Sequence, residues 1–321
     1  MKLATLRSVA AFAAVVLTGL AFAQTFPNRP IRIVVPYPAG GATDQMARII
    51  QAPMQEILAT PVVIDNRAGA AGAIGTDHVA KAAPDGYTLV FGNSGPNAMG
   101  PAIKRGPYDP IRDLAPISLV TNLPLYLAVH PSLPVNNTRE LIAHVRANPG
   151  KLNYGSVGIG SASHLIGEYF NFVTGMKATH IPYKGGAPAM LGFIGGEVQY
   201  MFMTGLDGLP HARAGKLKIL AIASEKPTDL APGVPTVAEA VPGFNGSVWF
   251  GILAPAGTPP NVIGRIQAAV AQAVQRPAVR KALNDLSADA ISNAPDEFAS
   301  LIAAEFAQWT RLVRESGTKF E

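Results

Sequence analysis

Two stretches of this chain carry residue types that could hold an anion. The first is Pro36-Tyr37-Pro38-Ala39-Gly40-Gly41-Ala42-Thr43-Asp44, and the second is Tyr154-Gly155-Ser156-Val157-Gly158-Ile159-Gly160-Ser161-Ala162-Ser163-His164. Glycine lets backbone amides come close to a guest, and a hydroxyl or acid just behind it can cap a helix. The amino end of such a helix favours negative charge. Gly40-Gly41-Ala42-Thr43-Asp44 and Gly160-Ser161-Ala162-Ser163-His164 share one order: glycine, any residue, alanine, hydroxyl, polar. If both helix starts face one cleft, an anion is held from two sides, each charge-assisted hydrogen bond contributing about 1.5–3 kcal/mol. Taken singly, either loop is also ordinary turn and cap chemistry.

Other residues admit two readings each. Asn93-Ser94-Gly95 could bring polar groups to the cleft or serve as turn formers. Lys184 could face a second ligand charge or sit exposed beside a turn. Asp207, in Thr204-Gly205-Leu206-Asp207-Gly208, could orient a ligand amine or water, or cap a helix. Asp44 is expected to turn onto backbone amides or water, because an acid beside a carboxylate site repels the guest. Tyr37 offers a flat face that suits a planar acid.

The enzymatic alternatives lack their motifs. Ser156, Ser161, His164 and Asp207 are the ingredients of a hydrolytic triad, yet no Gly-x-Ser-x-Gly elbow surrounds Ser94, Ser156 or Ser161. The histidines occur singly, without the His-Glu-x-x-His order, and the pair His164 and Glu168 reads as a structural hydrogen bond. There is no Gly-x-x-x-x-Gly-Lys-Ser/Thr loop, and no dinucleotide-type glycine turn follows the first strand. No catalytic residue, metal or cofactor is therefore expected.

The elements that must position these loops alternate strand, glycine-containing loop and helix. Ile31 to Val35 is β-branched, and Thr43 to Leu58 carries apolar residues at helical spacing. Strands follow at Pro61 to Ile64 and Tyr87 to Phe91, with a helix over Ala73 to Ala82 between them. The alternation resumes with strands near Leu125 to Val129, Ala178 to Tyr183, Val198 to Met203 and Leu217 to Ala223, and with a helix from Leu165 to Phe172. After a last strand, Ser247 to Leu253, Pro259-Pro260 opens one long helical stretch to Leu286 and Pro295-Asp296 another to Glu315. The pattern predicts an α/β protein with mostly parallel sheets. Two lobes are expected: one built from residues 24–122 and 250–321, the other from 123–249. The chain would cross between them near Val120 to Pro124 and near Gly243 to Trp249, and two crossings make a hinge beside a cleft. Ligands of open α/β sheets sit at the carboxyl ends of the strands, where both glycine loops lie.

The amino terminus reads as a secretory leader. Lys2 and Arg7 precede an apolar run from Val9 to Ala21, and Ala21-Phe22-Ala23 offers a cleavage site after Ala23. Losing Lys2 and Arg7 lowers the formal charge from +5 to +3. That mild balance is scattered along the chain, without the basic stripes and interleaved aromatics of a nucleic-acid binder. The chain has no cysteine, which excludes disulfides, thiolate metal sites and attachment through a lipidated cysteine.

Several motifs together resemble those of the tripartite tricarboxylate transporter solute receptors, the Bug family. They are Val35-Pro36-Tyr37 with Gly40-Gly41, Asp44 and Ala47-Arg48; Asp85-Gly86-Tyr87-Thr88-Leu89; Tyr154-Gly155-Ser156 with Gly158, Gly160-Ser161 and His164-Leu165; Pro182-Tyr183-Lys184-Gly185; and Pro235-Thr236 with Glu239. The resemblance covers essentially the whole chain after the leader. It departs at Asn66-Arg67-Ala68-Gly69-Ala70-Ala71-Gly72, where many relatives have proline after arginine and denser glycine, and at Glu239-Ala240-Val241, which lacks a common glycine. The resemblance implies a type II periplasmic binding protein fold, α/β, with helices on both faces of mostly parallel sheets and two interlobe crossings. It implies a monomeric periplasmic receptor that binds a small organic carboxylate, through backbone amides, hydroxyls and ordered water of the two loops, and delivers it to membrane permease subunits. The ligand-binding residues expected are Tyr37, Ala39, Gly40, Gly41, Thr43, Asp44, Asn93, Ser94, Ser156, Gly160, Ser161, Ser163, His164, Lys184 and Asp207. A ligand-sensing adaptor for a membrane signalling protein would use the same clamp, and a serine-dependent hydrolase is the remaining alternative.

Overall fold

The strand Ile31–Val35 (β1) is buried at every position except Arg32, as suits a strand covered on both faces. The computed structural model describes residues 26–316, so the expected leader and its cleavage site lie outside the described residues. β1 pairs in parallel with β2 (Val62–Asn66) and β3 (Thr88–Asn93). Between them run α1 (Ala42–Leu58), which buries Met46, Ile50, Met54 and Leu58, and α2 (Ala73–Ala80). A π-turn over Gly95–Met99 continues into one helical turn, Gly100–Ile103. The long strand β4 (Leu114–Pro124) follows.

The chain then enters a second sheet. Its elements in order are β5 (Tyr126–Val129), α3 (Thr138–Ala147), β6 (Asn153–Ser156), α4 (Ala162–Thr174), β7 (Thr179–Pro182), α5 (Gly186–Ile194), β8 (Tyr200–Met203), α6 (Gly205–Arg213) and β9 (Lys218–Ile222). β10 (Ser247–Pro255) returns to the first sheet and leads into α7 (Pro260–Gln275), α8 (Pro277–Asn284) and α9 (Pro295–Ser316). α7 packs on α1 and β4, and α9 on β4.

The two sheets repeat one plan. Their strand orders are β2-β1-β3-β10-β4 and β7-β6-β8-β5-β9. In each, four strands run the same way and the fourth in the order runs against its neighbours: β10 in the first sheet, β5 in the second. The reversed strand is the one the chain enters after changing lobes, so the expected mostly parallel sheets carry one antiparallel strand each. β1 and β6 hold the same place, which makes the loops that leave them structural counterparts. The protein is thus a two-lobed α/β fold, and the crossing segments are tied together. Leu125 N–H donates to Gly246 at 3.2 Å, Gly246 N–H to Ala223 at 2.7 Å, and Ala223 N–H to Leu125 at 2.6 Å. One buried cluster runs through the crossing, joining Phe91 and Phe250 of the first sheet to Leu127 and Phe202 of the second by way of Leu123 and Leu125.

Two expectations need correction. The stretch from Pro260 to Leu286 is two helices, because Pro277 has no N–H to give and drives Arg276 to ψ 132°. The segment expected only as a crossing near Val120 to Pro124 is the end of β4, an eleven-residue strand paired along its length with β10.

Candidate binding cleft

The loops after β1 and β6 use a single device. Gly40 and Gly160 both sit in the left-handed region, at φ 86° and 85°, which glycine adopts without the Cβ penalty. Gly40 N–H donates to the Asp44 carboxylate at 2.9 Å, and Gly160 N–H donates to Nδ1 of His164 at 3.1 Å. In each loop the polar residue of the next helix's first turn reaches back four positions and pins the glycine. The shared order of residues thus has a structural meaning, in which the last member holds the loop's shape.

The two pins differ chemically. The Asp44 carboxylate also accepts from Arg48 Nε at 2.9 Å and Asn66 Nδ2 at 2.9 Å. Burial pushes its pKa up, but the hydrogen bonds from Arg48, Gly40 and Asn66 and the Arg48 charge outweigh burial and leave it below the usual carboxylate value. His164 must be neutral to accept at Nδ1. Its ring stacks on His180 at 4.0 Å. Burial first, then the His180 charge, drives His164 down to about 3, and burial drives His180 to about 4.

With the loops pinned, the helix starts behind them line one cleft. Ala42 and Thr43 of α1 and Ala162 and Ser163 of α4 all border it, a concave site lined mainly by apolar groups with a few polar ones, as small-ligand sites are. Gly41 caps α1 with no side-chain hydrogen bond, and Ser161 caps α4 by accepting from His164 N–H. The first amides of both helices are the groups that no intrahelical partner satisfies. A third start, Gly186 and Ala187 of α5, borders the same space, as does Thr204, the cap of α6. The floor is apolar, made by Leu125, Phe202, Met203, Val248 and Phe250.

Of the residues expected at the site, Tyr37, Ala39, Gly41, Thr43, Asn93, Ser163 and Asp207 line this cleft. Tyr37 donates its hydroxyl to Ala71 O at 2.9 Å, so its ring is a fixed wall. Asn93 Nδ2 donates to Thr43 Oγ1 at 3.3 Å, and its Oδ1 accepts from Gly95 N–H at 3.0 Å. Ser163 Oγ accepts from Val157 N–H at 3.1 Å.

The remaining eight lie elsewhere. Gly40 and Asp44 form the first pin; Gly160 and His164 form the second and border a neighbouring cavity with Pro96 and Tyr108. Ser161 Oγ is the α4 cap and donates to Gly158 O at 2.7 Å. Ser94 is fully buried, and its Oγ has no hydrogen-bond partner among the described residues. Lys184 is exposed. Ser156 Oγ meets His180 Nε2 at 2.7 Å and accepts from Gly158 N–H. That serine–histidine pair resembles a nucleophile and its base, but Ser156 has no exposure and no carboxylate is hydrogen-bonded to His180 among the described residues. No hydrolytic triad is therefore assembled from Ser156, Ser161, His164 and Asp207, since Asp207 is hydrogen-bonded to Thr204 and His164 to Gly160.

Sequence reasoning missed the floor and the third helix start. Val157 and Thr204 directly follow β6 and β8, so the strand-end rule would have found them. Val248 and Phe250 belong to the returning strand, and no local pattern places them here.

The two halves meet beside the cleft without side chains between them. A Cβ on Gly95 would lie 2.9 Å from Ala162 N, and one on Gly100 would lie 3.1 Å from Gly160 O. Close backbone approach is thus built into both segments.

The sequence profile described as "Tripartite tricarboxylate transporter family receptor" matches residues 46–318. The chain is similar to Protein BugT of Bordetella pertussis, with 40% identity over 302 residues covering 93% of each chain. It is similar in structure to MatC from Rhodopseudomonas palustris with bound malate, at TM-score 0.86 and 34% identity, covering 90% of this chain and 100% of that one. An R. palustris protein with adipate gives the same TM-score and identity, covering 91% of this chain and 98% of that one.

Proposed function

Because the chain belongs to the tripartite tricarboxylate transporter receptor family, we propose that it captures a small organic carboxylate between its lobes outside the cytoplasmic membrane and presents it to membrane subunits of such a transporter. The observation that carries this reading is the convergence of two helix starts, Ala42–Thr43 from one half and Ala162–Ser163 from the other, on one cleft. Uncapped amides there would hold the carboxylate, with Thr43, Asn93 and Ser163 supplying polar edges and Tyr37 a flat wall. Malate and adipate in the related structures support a carboxylate as the guest.

In this reading the protein works as a periplasmic monomer after its leader is removed, and it returns its guest unchanged. Residues 24–122 with 250–321 move as one lobe and 123–249 as the other, hinged at Leu125 and Gly246. Gly40, Asp44, Gly160 and His164 act on the guest only through the loops they shape.

The test is a thermal-shift screen of the leaderless protein against mono-, di- and tricarboxylates. A carboxylate that binds only the folded form at a hundred times its Kd adds about 2.7 kcal/mol of stability, so one or more should raise the Tm by several degrees and be recovered intact. Chemical conversion of the bound compound would reject the receptor reading.

A further inference from the structure

The carboxylate cleft contains one side chain that a purely anionic guest does not explain. Among the described residues lining it, Asp207 alone has a carboxyl or basic side chain; no lysine, arginine or histidine faces the guest. Asp207 sits in the first turn of α6, where its charge is favoured by the helix start. Its Oδ2 accepts from Thr204 Oγ1 at 2.7 Å, while its own N–H donates to that same oxygen at 3.2 Å. Oδ1 has no hydrogen bond among the described residues. Gly186 keeps the space beside it open, since a Cβ there would lie 2.9 Å from Oδ1.

An unpaired carboxylate above an apolar floor is costly. Burial accordingly pushes the Asp207 pKa up, against the pull of the Thr204 hydrogen bond and the His211 charge. A dicarboxylate would set a second negative charge against it. A cationic nitrogen on the guest would supply the donor that Oδ1 lacks and the opposite charge that the cleft lacks.

We propose that the natural guest of this cleft is a zwitterion, a carboxylate that also bears a protonated nitrogen, with the carboxylate held by the helix starts and the nitrogen by Asp207. The proposal rests on the reading of the cleft as a carboxylate site and narrows its ligand class. Asp207 becomes the residue that sets this receptor's specificity apart from that of a diacid receptor, with Gly186 as the glycine that leaves it accessible.

The experiment is titration calorimetry of the leaderless protein and of Asp207→Asn against the protein amino acids and two matched pairs. These pairs, succinate with β-alanine and adipate with 5-aminopentanoate, each differ by one carboxylate exchanged for an ammonium. The wild type should bind its best amino-carboxylate about tenfold or more tighter than any diacid. Asp207→Asn should lose about tenfold or more for that compound while gaining affinity for diacids, because truncating one partner of a close charge pair leaves the other unmatched. The Tm of the ligand-free variant checks that its fold is kept. Diacids binding tighter than amino-carboxylates to the wild type, or an amino-carboxylate preference that survives in Asp207→Asn, would overturn the zwitterion alone. Failure of every carboxylate to bind either protein would bring down the receptor reading with it.

Discussion

Gly95→Ala is expected to weaken carboxylate binding by roughly ten- to a hundredfold while destabilising the ligand-free protein by less than this loss of binding. The methyl group would meet the Ala162 amide at 2.9 Å and the Ser161 Cα at 3.4 Å, both backbone atoms of the opposite half. Backbone cannot swing aside as a flexible side-chain tip can, so the halves must separate or shift. Overpacking of this kind costs about 1–3 kcal/mol, and each 1.4 kcal/mol is about tenfold in affinity. A further contact, with Asn93 Oδ1 at 3.1 Å, lies within the first half and strains every form of the protein. The two backbone contacts arise only where the halves meet, and Gly95 has no positive φ that alanine would resist, so the larger part of the penalty falls on the form in which the halves are pressed together. Ala162 also borders the cleft, which couples the clash to the guest's own amides. Calorimetry on this variant beside Gly264→Ala, an exposed helical glycine with open space around its Cβ position, separates the two effects. Binding by Gly95→Ala equal to that of the wild type would show that contact between the halves plays no part in capture.

Acid should destabilise the protein steeply below about pH 6.5, with His164 and His180 as a main cause. In the unfolded chain both imidazoles take up protons near the ordinary histidine value, whereas in the fold burial holds them at about 3 and about 4. Between those limits the unfolded state binds more protons, so stability falls as pH falls. For two groups displaced this far the loss between pH 7 and pH 5 is roughly 3–4 kcal/mol. The neighbours offer little relief. Tyr154 stacks on His180 and gives its hydroxyl to Glu168, and Tyr200, which stacks on Tyr154, donates to Asn171. A proton on His164 Nδ1 would also remove the acceptor for Gly160 N–H. His164→Asn leaves an oxygen that can accept from Gly160 and cannot titrate. Its Tm should fall about half as much as the wild type's between pH 7 and pH 5, and an identical pH profile would remove the histidine pair as the cause.

Much of this molecule was legible because its signals are local. β-branched runs such as Ile31 to Val35, apolar spacing such as Met46, Ile50 and Met54, and glycine directly behind a strand each fix an element without knowledge of the rest. The shared order at Gly40 and Gly160 was readable for the same reason, and it placed two helix starts at one cleft. What a side chain in a first turn does is another matter. Asp44 and His164 can face the guest or turn back onto the loop, and only the left-handed glycine four residues earlier decides it. Ser156 and Ser94 stand at strand ends as the sequence suggests, but the side-chain direction there depends on His180 and on packing from other segments. Val248 and Phe250 reach the floor because β10 inserts between β3 and β4, a pairing between distant segments that no window of the sequence contains.

The most direct test is a crystal structure of the leaderless protein with a carboxylate that binds it. The guest's carboxylate oxygens should lie about 2.7–3.2 Å from first-turn amides of both α1 and α4, at Ala42–Thr43 and Ala162–Ser163, directly or through a single ordered water. A carboxylate seated in the neighbouring cavity by Pro96 and Tyr108, or touching the helix start of one half alone, would contradict the account.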